Sequence, residues 1–164
     1  MIKGHILLLR TNTFVGKQIR EMTDSYYNHV GMFISEKEII EASMLGVKIT
    51  PFSKFEELKS KGKLDYGIYK VKGVTNEQLE IMIDFLTEKL GFTYDFIQFI
   101  SLLFFFIFKW NRKKEPVDVP NAFICSELMS GALDKAGLQF SENVDKDCIT
   151  PGDIENSKIL ERIK

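Results

Sequence analysis

Three residues in this sequence have the types and settings that acyl-transfer chemistry uses: Cys125, His29 and Glu41. Cys125 stands where a helix is expected to begin, within Phe123-Ile124-Cys125-Ser126-Glu127-Leu128. Free backbone N–H groups and the dipole of a helix N-terminus favour an anion, so a thiol placed there is biased toward the nucleophilic thiolate. The same place also suits a small buried hydrophobe, and position alone does not choose between the two. A nucleophilic cysteine needs a base, most often an imidazole, and the chain has two histidines, His5 and His29. His5 lies in an aliphatic run and is expected to pack there. His29 follows polar Asn28 and precedes Gly31, which permits close approach of another backbone. A third group should fix the tautomer of the ring and stabilise its charged form. Glu41 is the candidate, because Ile39-Ile40-Glu41-Ala42 sets a carboxylate among apolar neighbours, where it is costly to bury unless paired.

Elements must bring these distant positions together. Residues 28–34 and 39–43 are apolar segments around polar Ser35-Glu36-Lys37-Glu38, the pattern of a β-hairpin. Alternation puts His29, Gly31 and Phe33 on one side of the first strand. If Gly31 pairs with Glu41, His29 falls opposite Ser43, and His29 and Glu41 become diagonal neighbours within side-chain reach. A slip of one residue would turn Glu41 to the other face. Residues 123–136, with Ile124, Leu128, Ala132, Leu133 and Ala136 periodic and Gly137 as the stop, read as the cysteine-bearing helix.

The remaining pattern fills in a core. Residues 2–10 read as a buried strand and 65–72 as another. Residues 14–22 suggest a short helix with Phe14, Ile19 and Met22 near one face. Thr75-x-x-Gln78 is a capping box ahead of a stripe of Leu79, Met82, Ile83, Leu86 and Leu90, and Gly91 is expected to close that helix. Thr150-Pro151-Gly152-Asp153 reads as a turn, followed by a surface segment. The stretch 96–110, opening on Phe96 and closing on Trp110, is apolar to Phe108 except for Gln98 and Ser101, and basic residues Lys109, Arg112, Lys113 and Lys114 lie at its end. It is shorter than the roughly 20 residues of a bilayer-spanning helix. Two readings stay open for it: a core helix, or peripheral contact with a membrane surface or lipid.

Composition bounds the function. The chain has 164 residues, 22 Lys and Arg against 23 Asp and Glu, and a net charge of −1, which argues against nucleic-acid binding. A length of 164 residues with 45% hydrophobic and 27% charged residues suits one domain over 1–164. Two cysteines, Cys125 and Cys148, make no disulfide framework, and no export leader is evident, so a reducing cytoplasm is the expected location. The Cys and His positions show no paired metal-ligand spacing, and Gly16-Lys17 lacks the rest of a phosphate loop. Neither a metal nor another cofactor is expected.

Tyr26-Tyr27-Asn28-His29-Val30-Gly31-Met32, Ile40-Glu41-Ala42 and Phe123-Ile124-Cys125-Ser126-Glu127-Leu128 together resemble the permuted NlpC/P60 papain-like cysteine hydrolases of the YiiX type. Ala136-Gly137 and Thr150-Pro151-Gly152-Asp153 add to the likeness, which extends from about Lys3 to Ile159. One departure is Gly4-His5, where relatives commonly have Gly-Asp. The resemblance implies an α+β, circularly permuted papain-like fold, in which an antiparallel sheet packs against a cysteine-bearing helix and histidine precedes cysteine in the chain. It implies Cys125 as nucleophile, His29 as base and Glu41 as orienting acid, with Tyr94 as a second oxyanion donor beside the Cys125 N–H. The implied activity is amidase- or peptidase-like, through an acyl-enzyme, on a small peptide, amino-acid or lipid amide. A lipid-directed thioesterase or acyltransferase and a catalytically silent binding module are the alternatives.

Overall fold

The computed structural model describes residues 3–43, 45–94, 122–123, 125–141 and 149–164. The stretch 96–110, with its core-helix and membrane-contact readings, and Cys148 lie outside the described residues. Among the described residues no helix is long and apolar enough to cross a membrane.

Strand β1 (Ile6–Thr11) is the interior of the sheet and explains its own composition. Ile6 and Leu8 enter one apolar cluster while Leu7 and Leu9 enter another, so the strand is buried on both faces and reads as an unbroken aliphatic run. It pairs antiparallel with β2 (His29–Phe33) on one side and β5 (Leu64–Val71) on the other. Beyond β2 come β3 (Glu38–Ser43) and β4 (Gly46–Pro51), and beyond β5 comes β8 (Leu160–Arg162), giving the order β4-β3-β2-β1-β5-β8 in a six-stranded sheet. Two short strands, β6 (Thr93–Tyr94) and β7 (Ala122–Phe123), pair parallel apart from it.

One face of the sheet is covered by helices α3 (Asn76–Glu88) and α4 (Cys125–Lys135). Val30, Met32, Ile40 and Ala42 meet Met82, Leu86, Leu128, Met129 and Leu133 there. The capping box at Thr75 forms as expected: the Gln78 N–H donates to Thr75 Oγ1 at 3.2 Å and the Thr75 N–H donates to Gln78 Oε1 at 3.1 Å. The other face carries α2 (Phe52–Ser60), whose Phe52 and Phe55 pack on Leu7, Leu9, Phe33 and Ile39.

Helix α4 ends as its glycine requires. Gly137 has φ +72°, the Leu138 N–H donates to Leu133 O and the Gly137 N–H to Asp134 O, the bond pair of a Schellman cap. Helix α3 instead ends at Glu88, ahead of Gly91. The left-handed Gly91 (φ +82°) serves the chain beyond: its N–H donates to Val47 O, and the Val47 N–H donates to Phe92 O, which ties the helix exit to β4.

Two expectations are corrected. Helix α1 (Phe14–Thr23) forms, but Phe14 is 78% exposed and the helix is not held by an apolar face that includes it. Gly16 is its buried contact, since a Cβ there would come within 2.4 Å of Thr11 Oγ1, and Arg20 Nη1 donates to Thr11 O at 2.6 Å. Phe14 is the first residue after the Thr13 N-cap and so points out at the helix entrance. The expected turn at 150–153 is the start of helix α5 (Pro151–Glu155), because Thr150 and Asp153 form a second capping box and proline suits the first helical turn. The segment after it lies at the surface as expected, but as an edge strand: β8 pairs with β5 and buries Leu160 while Glu161 and Arg162 stay exposed.

Leu128 is fully buried on the first turns of α4, under the helix that carries Cys125. Leu128→Ala is expected to destabilise the protein by about 2–5 kcal/mol, read as a lower urea midpoint at unchanged slope. A loss below about 0.5 kcal/mol would show that α4 is not held by this contact.

Candidate active site

The hairpin expected from the alternation forms, and in the register that matters: Gly31 pairs with Glu41, Met32 with Ile40 and Phe33 with Ile39. Glu41 therefore lies diagonal to His29, and His29 Nε2 stands 2.7 Å from Glu41 Oε2. Gly31, directly opposite Glu41, leaves the room for this. A Cβ at that position would come within 2.7 Å of Ile39 Cγ2, 3.0 Å of Ile40 O and 3.4 Å of Glu41 Cβ.

Cys125 opens α4 and is 7% exposed. Its sulfur accepts hydrogen bonds from the His29 ring and from the backbone N–H groups of Val30 and Ser126. Since Nε2 of His29 is held by Glu41, Nδ1 is the ring nitrogen left to face the sulfur. Strand alternation gives Glu41 the parity of Ile39 and His29 that of Phe33, both in the cluster beneath α2, whereas Cys125 belongs to the cluster under α3 and α4. The groups meet because the pairing of β2 with β3 ends at Gly31 and Glu41. The next N–H along β2, that of Val30, is given to sulfur.

The charges of the three groups support one another. For Glu41, burial would raise the carboxyl pKa, but the His29 ring, the Thr50 hydroxyl and the Lys48 charge outweigh it and hold the group at about 2. For His29, burial would lower the pKa, yet the Cys125 thiolate and the Glu41 carboxylate raise it to about 10. For Cys125, burial would raise the thiol, and the His29 charge with the three donated hydrogen bonds brings it below its ordinary value. The three groups thus form a line in which each favours the charged form of its neighbour.

Sequence reasoning missed two contributors. Thr50 Oγ1 donates to Glu41 Oε1 at 2.6 Å, and its only signal in the sequence was alternation on β4, two residues from Lys48. The Val30 N–H carries no side-chain signal at all. Tyr94 has its backbone in β6, opposite Phe123 of β7 and so near the start of α4, while its side chain lies outside the described residues. His5 lies away from the site, at the far end of the β1–β2 pair, where its carbonyl accepts the Phe33 N–H. Burial first, then the chain N-terminus and Lys70, lower its pKa.

Among the described residues no group of three or more His, Cys, Asp or Glu side chains is arranged to hold a metal ion. No curated protein matches the chain. Among solved structures, the crystal structure of metalloprotein yiiX from Escherichia coli O157:H7 has a TM-score of 0.70 at 18% identity, over 99% of this chain and 96% of that one. That likeness establishes the fold. A family model described as a permuted papain-like amidase enzyme, YaeF/YiiX, C92 family, matches residues 1–163. Matched along this length, the chain belongs to the C92 family of permuted papain-like amidase enzymes.

Proposed function

We propose that the protein is a cysteine-dependent hydrolase that cleaves an amide or peptide-like bond through an acyl-enzyme, with Cys125 as nucleophile, His29 as acid and base, and Glu41 as the group that orients the ring. One observation carries this reading: the unbroken line of hydrogen bonds from Glu41 Oε2 through the His29 ring to the Cys125 sulfur at the head of α4.

The steps follow from the charges. The Cys125 thiolate attacks the carbonyl carbon, forming a C–S bond and placing negative charge on the carbonyl oxygen. The Cys125 N–H at the helix start is one donor for that oxygen. As the tetrahedral species collapses, the C–N bond breaks and His29 gives its proton to the departing amine. Neutral His29 then takes a proton from water as the water oxygen attacks the thioester. The acid leaves and the thiolate–imidazolium pair is restored. Glu41 stays ionised throughout, holding the ring by Nε2. The solved relative is described as a metalloprotein, but the donors here do not fit a metal ion. His29 Nε2 is committed to Glu41 Oε2, and Glu41 Oε1 to Thr50. No step uses one.

A second reading is favoured by the apolar composition of 96–108 and the basic residues after it: an acyl-bearing substrate, cleaved or transferred by the same three groups at a membrane surface. Sedimentation with anionic vesicles separates the two, since a peptide amidase stays in the supernatant.

Iodoacetamide is expected to label Cys125 at pH 7 faster than Cys148, and His29→Ala should slow that labelling by about 10-fold or more, as the thiolate loses its counter-charge. In turnover of an aminoacyl p-nitroanilide, Cys125→Ala should abolish release and His29→Ala should lower kcat by about 10²–10⁴-fold. Equal labelling of both cysteines, or turnover that survives Cys125→Ala, would overturn the hydrolase. The Glu41 pKa lies below its ordinary 4.5, so its contribution to stability is present above pH 4.5 and lost as pH falls toward about 2. The stability gap between wild type and Glu41→Gln, measured by urea unfolding, should therefore be widest at pH 7 and shrink between pH 4.5 and 2. A gap that does not vary with pH would mean that Glu41 is not held as a buried anion.

A further inference from the structure

Glu41 lies on β3, between β2 and β4, and each flanking strand gives it one hydrogen-bond donor. On β2 its direct partner is Gly31, which has no side chain, and the donor is His29, two residues before Gly31. On β4 its direct partner is Lys48, and the donor is Thr50, two residues after Lys48. Because β2 and β4 run in the same direction, the two donors stand on opposite sides of Glu41 along the strand axis. His29 holds Oε2 at 2.7 Å and Thr50 holds Oε1 at 2.6 Å. Thr50 is 4% exposed and Glu41 6%, so water does not substitute readily for the hydroxyl.

A carboxylate held by one oxygen alone swings about its terminal torsion, which is a broad and weakly restrained rotor. Held by both oxygens from opposite directions, it keeps one plane and one reach. We propose that Thr50 is a positioning residue for the reaction: its hydroxyl fixes the plane of the Glu41 carboxylate so that Oε2 meets His29 Nε2 in line, and thereby sustains the imidazolium that faces Cys125. This rests on the hydrolase reading above and adds a fourth side chain to it. Thr50 touches neither sulfur nor substrate; it acts through Glu41.

The groups that titrate or carry charge around Glu41 are His29 on β2, Lys48 on β4 and, through His29, Cys125 on α4. None of these is altered by changing Thr50, so a shift in His29 reports the carboxylate alone. With only two histidines in the chain, side-chain NMR of histidine-labelled protein resolves the His29 titration from that of His5.

The test follows the His29 midpoint in wild type, Thr50→Val, Thr50→Ala and Thr50→Ser, with folding checked by circular dichroism. The valine and alanine variants are run together because an isosteric and a truncating change perturb packing differently. Both are expected to lower the His29 midpoint by roughly one pH unit, and serine, which restores the hydroxyl, to return it to the wild-type value. In the Glu41→Gln background, Thr50→Val should move it no further. A folded Thr50→Val or Thr50→Ala protein that keeps the wild-type midpoint overturns the role of Thr50. So does a serine variant that matches valine. Iodoacetamide labelling of wild-type Cys125 is read in parallel. If Cys125 is no faster than an ordinary thiol, the hydrolase reading itself has failed and Thr50 falls with it; a fast Cys125 with an unmoved midpoint rejects Thr50 alone.

Discussion

A carboxylate buried in a sheet is the constraint on which the rest of this structure turns. Taking an anion such as Glu41 out of water costs several kcal/mol unless donors replace the lost hydration. Here the replacement comes from both neighbouring strands, with the His29 ring on one side, the Thr50 hydroxyl on the other and the Lys48 charge nearby. The same requirement pins the register. A one-residue slip of β3 would turn Glu41 into the apolar cluster of Met82, Leu86 and Met129, and would bring Ile40 or Ala42 to His29. Burial of charge and choice of strand pairing are thus one problem with one solution.

That solution propagates outward by sign. An ionised Glu41 favours a protonated His29, and a protonated His29 favours an ionised Cys125, which the Ser126 N–H at the start of α4 and the Val30 N–H also stabilise. Glu41 and Cys125 are buried and His29 is partly buried, and alone each would be driven toward its neutral form. Together each favours the charged form of its neighbour, because opposite charges lie adjacent in a medium of low effective dielectric. Substituting one member is therefore felt by the other two, which is why the contributions of such groups are not additive.

Much of this was legible in the sequence where the signal was local. The hairpin lies within 28–43 and has a sharp alternation, so its existence and a register that makes His29 and Glu41 diagonal neighbours could be read from the sequence, while the choice of that register among those of the same parity could not. The capping box at Thr75 and the stop at Gly137 are set by residues within one turn. Signals that depend on distant partners were weaker. Thr50 is an ordinary strand threonine until β4 is known to lie beside β3. The α1 face misled because Phe14 looks like a core residue, while the helix is attached through Gly16 and Arg20 to Thr11. The tail at 160–162 was missed as a strand because three residues are too few for a period to appear, and β5 supplies the pairing.

The order of residues in the chain has little bearing on the site, and the geometry says why. His29 and Glu41 come from adjacent strands of one hairpin and need only that hairpin to find each other. Cys125 comes from a helix packed on the opposite face of the sheet, held there by Leu128, Met129, Ala132 and Leu133. Its sulfur reaches the imidazole where the β2–β3 pairing ends and the Val30 N–H is available to it. No covalent connection between helix and hairpin takes part in that meeting. What must be preserved is the packing of α4 across β2 and β3, with its first residue at the end of their ladder. A chain that enters this arrangement at β1 instead of at the helix satisfies the same contacts, so a permuted papain-like fold places a cysteine late in the sequence without altering the line from carboxylate to sulfur.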